Sequence, residues 1–337
     1  MQPFPPRPSG PIGSTRSNPT CKVLCIALRL LPAAGLLVWQ LGVAGPAQAK
    51  AGDLDPSFGR DGKVTTEFFG GSDEAFALAV QDGKLVAAGS ADRRSDTDFA
   101  LARYRSNGRL DRSFGRRGRV TTDFVGGLDQ IRALVVQADG KLVAAGFANT
   151  RSGTTSDFAL ARYRPNGALD PSFGGDGKVT TDFAGSDNIA TAVAVQADGK
   201  LVAAGFVDLR PGDSDFALAR YKPDGTLDRS FGTGGKVTTD FAGGLDQAFA
   251  LVVQANGKLI AAGRAQVTTT GLFDFALARY RPNGSLDASF GTGGKVTTDF
   301  ADEANALVVQ GGKLVAGGSA STTPFNRDFA LARYQTR

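Results

Sequence analysis

Five aspartates occupy the same place in five similar segments of the chain, each just before an apolar stretch. They are Asp73, Asp129, Asp187, Asp246 and Asp302, and they are followed by Glu74, Gln130, Asn188, Gln247 and Glu303. If the apolar stretches lie innermost, these carboxylates meet at the mouth of a central channel. There they could bind a hard cation such as calcium, which takes about six to eight oxygen ligands, or orient a sugar or a cationic ligand. The alternative is that each aspartate accepts backbone N–H bonds within its own turn.

A second repeated set combines an acid with an arginine. Its aspartates are Asp55, Asp111, Asp170, Asp228 and Asp287, and its arginines are Arg103, Arg162, Arg220, Arg279 and Arg333. The arginines lie on otherwise apolar strands, and a buried guanidinium needs an acidic partner. We therefore predict that this set is structural and links neighbouring units. No residue of the chain is predicted to be catalytic.

Several residue types are missing, and their absence excludes some kinds of catalytic and metal site. From Lys50 onward the chain has no Cys, His, Trp or Met, which excludes a histidine base, a cysteine nucleophile and a Cys/His zinc site. That part carries 34 basic and 33 acidic residues, so its charge is close to neutral. A binder of nucleic acid or anionic membrane that acts through charge alone is therefore not expected.

Both sets belong to an internal repeat. The motif LDxSFG begins at Leu54, Leu110, Leu169, Leu227 and Leu286, at spacings of 56, 59, 58 and 59 residues. Each copy continues with GKVTT or GRVTT, then VQ-turn-GKL, and ends with DFALARY. Self-similarity at such a period is typical of repeat architectures.

Each repeat predicts four strands. GKVTTDF alternates polar and apolar residues, as a half-exposed strand does, whereas AFALAV and KLVAAG are apolar throughout and read as buried strands. The Asp82-Gly83 pair between them predicts a two-residue hairpin turn, and DFALARY is the fourth strand. Four antiparallel strands repeated about a ring predict an all-β fold, a five-bladed β-propeller.

The phase of the repeat predicts how the ring closes. The predicted blade order is AFALAV, KLVAAG, DFALARY and then GKVTTDF of the next repeat. We therefore expect residues 62–68 to complete the last blade beside 328–334, which removes an exposed sheet edge. The alternative is an open array of five units. The predicted domains are 1–49, a signal peptide, and 50–337, a propeller with the repeats 54–109, 110–168, 169–226, 227–285 and 286–337.

The motifs LDxSFGxxGKVTT, VQxDGKLVAAG and DFALARYxxDG resemble the bacterial delta-60 repeat family of secreted or surface proteins. The resemblance covers essentially all of residues 50–337. It implies a propeller and a bacterial source, and it brings no established activity and no catalytic residues.

Function is best predicted from the divergent segments between KLVAAG and DFALARY. These predicted hairpin loops, rich in Ser, Thr, Asp and Arg, are residues 90–97, 147–156, 206–214, 264–273 and 319–327. Varied loops on a rigid frame suit recognition, so we expect a monomeric binding or scaffold module for a glycan, cell-wall or protein ligand. Two alternatives stay open: a glycoside-processing or lactone-cleaving enzyme that uses the channel-mouth aspartates with calcium, and a purely structural envelope protein. No cofactor is expected apart from that calcium.

The first 49 residues predict export. Residues 1–29 carry four basic side chains and no acid, 30–44 are apolar, and Pro46-Ala47-Gln48-Ala49 forms a small-x-small pattern. This order is typical of a signal peptide cleaved after Ala49, and the apolar stretch is shorter than the roughly 20 residues of a membrane span. An uncleaved anchor is the alternative. A secreted, periplasmic or cell-surface location follows, with no lasting membrane span.

Cleavage can be tested directly. When the full chain is expressed in a secreting bacterial host, the intact mass of the exported protein should correspond to a new amino terminus at Lys50. Recovery of a membrane-bound chain that keeps residues 1–49 would show an anchor instead.

Overall fold

The computed structural model describes residues 50–93, 96–150, 155–183, 187–266, 272–323 and 326–336. The predicted signal peptide lies outside these residues. Residues 51–337 form one compact unit. Within the described ranges every regular element is a β-strand, and no helix there is long and apolar enough to cross a membrane.

The strands form five antiparallel sheets in chain order. The first sheet contains β1 (Asp73–Gln81), β2 (Lys84–Arg93), β3 (Asp96–Tyr104) and β4 (Arg119–Thr122). The second contains β5 (Asp129–Val136), β6 (Leu142–Asn149), β7 (Ser156–Tyr163) and β8 (Lys178–Thr181). The third contains β9 (Asn188–Val195), β10 (Leu201–Arg210), β11 (Asp213–Tyr221) and β12 (Lys236–Thr239).

The fourth sheet contains β13 (Asp246–Val253), β14 (Leu259–Ala265), β15 (Asp274–Tyr280) and β16 (Lys295–Thr298). The fifth has three strands, β17 (Ala304–Gln310), β18 (Lys313–Thr323) and β19 (Asn326–Tyr334). In each four-stranded sheet the last strand comes from the next sequence repeat, so the predicted blade order is confirmed. These are the sheets of a five-bladed propeller.

A β-bulge recurs in the first strand of every sheet. The pairing register shifts at the residue that follows Ala75, Ile131, Ala190, Ala248 or Ala304. The partner strand carries the glycine of KLVAAG, KLIAAG or KLVAGG opposite the bulge. A Cβ at Gly89 or Gly263 would lie 1.9 Å from the carbonyl oxygen of Glu74 or Gln247. Glycine is therefore required there, because the bulge brings the neighbouring backbone within contact distance.

The core lies between successive sheets. The first strands of neighbouring sheets contact one another along the series β1, β5, β9, β13 and β17. Hydroxyl contacts join each sheet to the one before it: Tyr163 to Thr122 at 2.9 Å and Tyr221 to Thr181 at 2.8 Å are examples. Each sheet is thus covered on both faces only where it has two neighbours, and this is why the repeats must stack.

The two terminal sheets lack such cover. Phe329 and Leu331 of β19 are 104% and 74% exposed, and Leu78 of β1 is 72% exposed. Residues 62–68 form no strand, yet Thr66 Oγ1 lies 2.6 Å from Tyr104 Oη. This is the contact that the last strand of the preceding sheet makes at the other junctions. The structure does not show the predicted closure by 62–68, which stays a prediction.

Closure can be tested with a disulfide, because the chain from Lys50 onward has no cysteine. Ala100 pairs with Thr121 in the first sheet. The matching pair in a closed ring is Ala330 with Thr65. In the chain freed of residues 1–49, oxidised Thr65→Cys/Ala330→Cys should form an intramolecular disulfide that raises the melting temperature, since it closes a long loop.

The Ala100→Cys/Thr121→Cys variant is the matched positive control. Free thiols in the terminal pair alone, measured under the same oxidation, would argue for an open array.

Candidate functional site

The arginine of each DFALARY strand is buried in a fixed set of contacts. Arg220 is 5% exposed, and its Nε donates to Asp228 Oδ2 at 2.9 Å. Its Nη2 donates to Ser230 Oγ at 3.2 Å, and its Nη1 donates to the carbonyl of Pro282 in the turn after the next sheet's third strand. The guanidinium carbon lies 4.6 Å from the ring centroid of Phe231. One side chain thus connects its own strand and the loop between β11 and β12 to the next sheet.

The same arrangement occurs at four junctions. Buried ion pairs join Arg103 to Asp111, Arg162 to Asp170, Arg220 to Asp228 and Arg279 to Asp287. Hydrogen bonds and the guanidinium charge outweigh burial and lower the pKa of Asp228 to about 2. The structural interpretation of this set is confirmed at these junctions. Asp55 and Arg333, the two remaining members, are both exposed at opposite ends of the array.

Three of the five aspartates predicted to line a channel mouth cap turns. Asp129 Oδ2 accepts the N–H of Phe124 at 2.8 Å, and Asp246 Oδ2 accepts that of Phe241 at 2.6 Å. Asp73 makes the same bond to Phe68. Asp129 and Asp246 are 1% and 0% exposed. The observed contacts are those of the turn-cap alternative.

The third repeat places a different residue at this position. Asn188 pairs with Val207 as Asp246 pairs with Ala265, so Asn188 and not Asp187 is the equivalent of the other aspartates. Asp187 lies one residue earlier, and its Oδ1 accepts the N–H of Ser156 at 2.8 Å. The extra residue between Asp187 and the glutamine of the third repeat is the sequence signal of this offset.

The aspartates are distributed over separate sheet junctions. The charges that act on Asp129 belong to Asp98 and Asp123 of the preceding sheet, and those that act on Asp246 belong to Asp215 and Asp240. Burial, partly offset by the N–H of the turn, raises the pKa of Asp129 and of Asp246 to about 7. In the fifth sheet Asp302 instead lies 3.0 Å from the Nε of Arg327.

Sequence reasoning missed a surface where the repeats differ. In each repeat it consists of the residue that follows the aspartate, or Asn188 in the third repeat, and of the bulge residue two positions later. We call it the inner-strand surface. Its members are Glu74, Phe76, Gln130, Arg132, Ile189, Thr191, Gln247, Phe249, Glu303 and Asn305. The residue between these two positions is small or apolar, and it is buried from the second sheet onward: Ile131, Ala190, Ala248 and Ala304. Aligning the repeats column by column from the aspartate, with Asn188 in the third, would have shown this divergence.

One half of the inner-strand surface centres on Arg132. The guanidinium carbon lies 4.9 Å from the ring centroid of Phe76 and 5.9 Å from that of Phe147. Burial lowers the pKa of Arg132, while the charge of Glu74 raises it. Contacts of this type between a guanidinium and ring faces are cation–π interactions, and they join the first two sheets.

The other half adjoins Arg264, which lies on the neighbouring strand β14 opposite Gln247. Its Nη1 donates to Glu303 Oε2 at 2.8 Å and its Nη2 donates to Gln247 Oε1 at 2.7 Å. The guanidinium carbon also lies 4.2 Å from the ring centroid of Phe273 and 5.6 Å from that of Phe249. A guanidinium, an acid, an amide and two rings are therefore presented together by the fourth and fifth sheets.

The predicted hairpin loops lie at the same end of the sheets. Asp246, at the start of β13, pairs with Ala265 at the end of β14, and Ala265 also pairs with Asp274 at the start of β15. The second-to-third-strand loops therefore adjoin the inner-strand surface. The chain parts 94–95, 151–154, 267–271 and 324–325 of these loops lie outside the described residues.

Four segments of the chain match a family model described as a β-propeller domain of unknown function, DUF5122. The matches cover residues 81–114, 137–173, 196–231 and 254–290. They support a propeller repeat family of unknown function, and the narrower resemblance to the delta-60 repeats stays a prediction. No curated protein matches the sequence.

Several solved structures are similar to this chain. A protein of unknown function from Dyadobacter fermentans has 13% identity and a TM-score of 0.47, over 80% of this chain and 78% of its own. One of unknown function from Bacteroides caccae has 9% identity and a TM-score of 0.41, over 74% and 73%. An endo-arabinase from Bacteroides thetaiotaomicron has 13% identity and a TM-score of 0.39, over 77% and 92%.

The burial of Arg220 predicts that two arginine substitutions differ strongly in their effect on the free energy of unfolding. Arg220→Ala should lower the free energy of unfolding by about 3–5 kcal/mol, because it leaves Asp228 buried without its partner. Arg281→Ala, whose side chain is 55% exposed and lies 3.9 Å from Asp287, should cost less than about 1 kcal/mol. Urea unfolding at pH 7 measures both, and equal losses would contradict the structural role.

The same ion pair predicts an acid dependence. The pKa of Asp228 is lowered in the folded state, so its stabilisation is complete above the unfolded value of about 4 and is lost as the pH falls to about 2. Urea unfolding at pH 5 and pH 2.5 should therefore show a smaller loss of stability in Asp228→Asn than in the unchanged protein. An identical acid loss in both would exclude this contribution.

Proposed function

We propose that the protein is an exported binding module whose ligand occupies the inner-strand surface and the adjoining hairpin loops. One observation carries the proposal: at this surface nearly identical repeats carry different side chains. A single ligand that contacts several repeats and is not itself symmetric is best recognised where the repeats differ. Binding sites are also typically placed on the loops and edges of a rigid frame.

The repeated charged groups support this division of roles. The buried arginines and their aspartates are held by ion pairs, hydroxyls and carbonyls, as at Arg103, whose Nη1 donates to Gln81 Oε1 at 2.6 Å. The turn aspartates hold backbone N–H groups. The repeated charged residues are thus used in contacts that stabilise the sheets. The divergent positions are left as the surface on which the repeats differ chemically.

The side chains of the inner-strand surface favour a carbohydrate. Rings such as Phe76 and Phe249 offer apolar faces, against which the C–H face of a sugar ring can pack. Gln130, Gln247 and the two arginines offer planar hydrogen-bonding groups for hydroxyl or carboxylate oxygens. We therefore propose a polar oligosaccharide as ligand, of the kind found in bacterial or plant cell walls. Cleavage of that oligosaccharide is the enzymatic alternative.

Binding should depend on the arginines of this surface. In a glycan array followed by calorimetry with the best ligand, Arg132→Ala/Arg264→Ala should weaken binding at least about tenfold, the loss typical of one central contact residue. Arg229→Ala is the matched control, because Arg229 lies exposed in the turn between β11 and β12, at the other end of the third sheet.

Unchanged affinity in the double variant would place the ligand elsewhere. Absence of any glycan binding would contradict a carbohydrate module. Release of shorter sugars during the assay would instead establish the enzymatic alternative.

A further inference from the structure

Three carboxylates meet where the third and fourth sheets join. Asp215 lies in β11, Asp240 follows β12, and Asp246 opens β13. One oxygen from each lies within 4.8 Å of an oxygen of the other two. Calcium binds its oxygens at about 2.4 Å, so ligands on opposite sides of one ion are about 4.8 Å apart. The three carboxylate oxygens are therefore close enough to one another to bind a single ion.

The most buried of the three has an oxygen without a partner. Asp246 is 0% exposed, and its Oδ2 accepts the N–H of Phe241. Its Oδ1 has no hydrogen-bond partner among the described residues. A buried carboxylate oxygen without a partner is costly, and a bound cation would remove that cost.

Among the described residues, no lysine or arginine side chain forms an ion pair with these three carboxylates. Lys295 Nζ donates to the backbone carbonyl of Asp240 at 2.8 Å, and Arg210 Nε lies 2.7 Å from Asp213. Both charges act to lower the pKa of Asp215, yet burial and the neighbouring acids raise it to about 6. The cluster therefore carries more negative charge than its surroundings compensate.

At two other junctions the protein's own groups remove or balance the charge of the buried carboxylate. Between the second and third sheets Asn188 replaces the buried aspartate, and its Nδ2 donates to the carbonyl of Ser156 at 3.3 Å. In the fifth sheet the guanidinium of Arg327 lies beside Asp302. These two junctions thus have either a neutral amide in place of the aspartate or a guanidinium beside it. The junction of Asp246 has neither.

We propose that Asp215, Asp240 and Asp246 form a binding site for a hard divalent cation, calcium by preference. Oxygen ligands alone, two of them buried and one in a turn, are the donor set that calcium takes in proteins. Water and backbone carbonyls would complete the coordination. The ion would tie β11 and β12 to β13 and so join two sheets.

The junction between the first and second sheets holds a related group of acids, with Asp96 as a member in place of the first-strand aspartate. Asp96, Asp98 and Asp123 form a second group of close carboxylates. Asp98 is 5% exposed, and its Oδ1 has no partner among the described residues; the same holds for the Oδ1 of Asp129. We therefore expect two bound ions per chain.

Calcium titration of the purified, EDTA-treated protein tests the site. Calorimetry at pH 7.5 should show two bound ions, and the melting temperature should rise by a few degrees at saturation. Asp246→Asn should lower the number of bound ions by one and reduce the thermal shift. Asparagine keeps an oxygen for the N–H of Phe241, so this variant retains the turn. Asp215→Asn is the second variant and should give the same loss.

Asp302→Asn is the matched control, because Arg327 already balances that carboxylate, and it should leave calcium binding unchanged. The proposal is overturned if the unchanged protein binds no calcium at about 10 mM, well above the ~10⁻³ M of weak extracellular sites. It is also overturned if both Asp246→Asn and Asp215→Asn bind as many ions as the unchanged protein.

Discussion

A buried guanidinium must satisfy its five N–H donors, and this constraint organises the whole array. In every described copy from Arg103 to Arg279 the guanidinium has partners in three places: the following LDxSFG turn, its phenylalanine ring, and a backbone carbonyl of the next sheet or the carboxyl-terminal segment. No single repeat contains all of these groups. A sheet therefore reaches a satisfied core only when its successor is in place, which couples the folding of neighbouring repeats.

The bulge in each first strand connects this frame to the proposed function. It inserts one residue at a fixed place, opposite a glycine that no other residue can replace without moving the backbone. The side chain at the inserted position is exposed or half-buried in every sheet, so packing constrains it less than the buried residues of the strand. Phe76, Arg132 and Thr191 occupy equivalent positions as a result, and the repeats acquire distinct chemistry without disturbing their stacking.

At the sheet junctions the same backbone position carries a charge that is removed or balanced in different ways. The same buried position holds Asp129, Asn188, Asp246 or Asp302, and each must be neutral, paired or bound to a cation. The amide of Asn188 needs no countercharge, and Asp302 has Arg327. The junctions of Asp129 and Asp246 retain several acids in a buried setting, and there a metal ion would contribute to stability as well as charge balance.

The sequence by itself determined the all-β class, the five units, the order of strands and the structural role of the arginines. These follow from short-range patterns: alternation, Asp-Gly turns, and a charged residue on an apolar strand that requires a partner. Which acids meet was decided by the tertiary structure alone. Asp215 and Asp246 belong to strands of two different sheets and Asp240 follows β12, and only stacking brings the three together. The offset at Asn188 and the surface around Arg132 likewise depend on register and bulge geometry, because a shift of one residue along a strand reverses which face a side chain occupies.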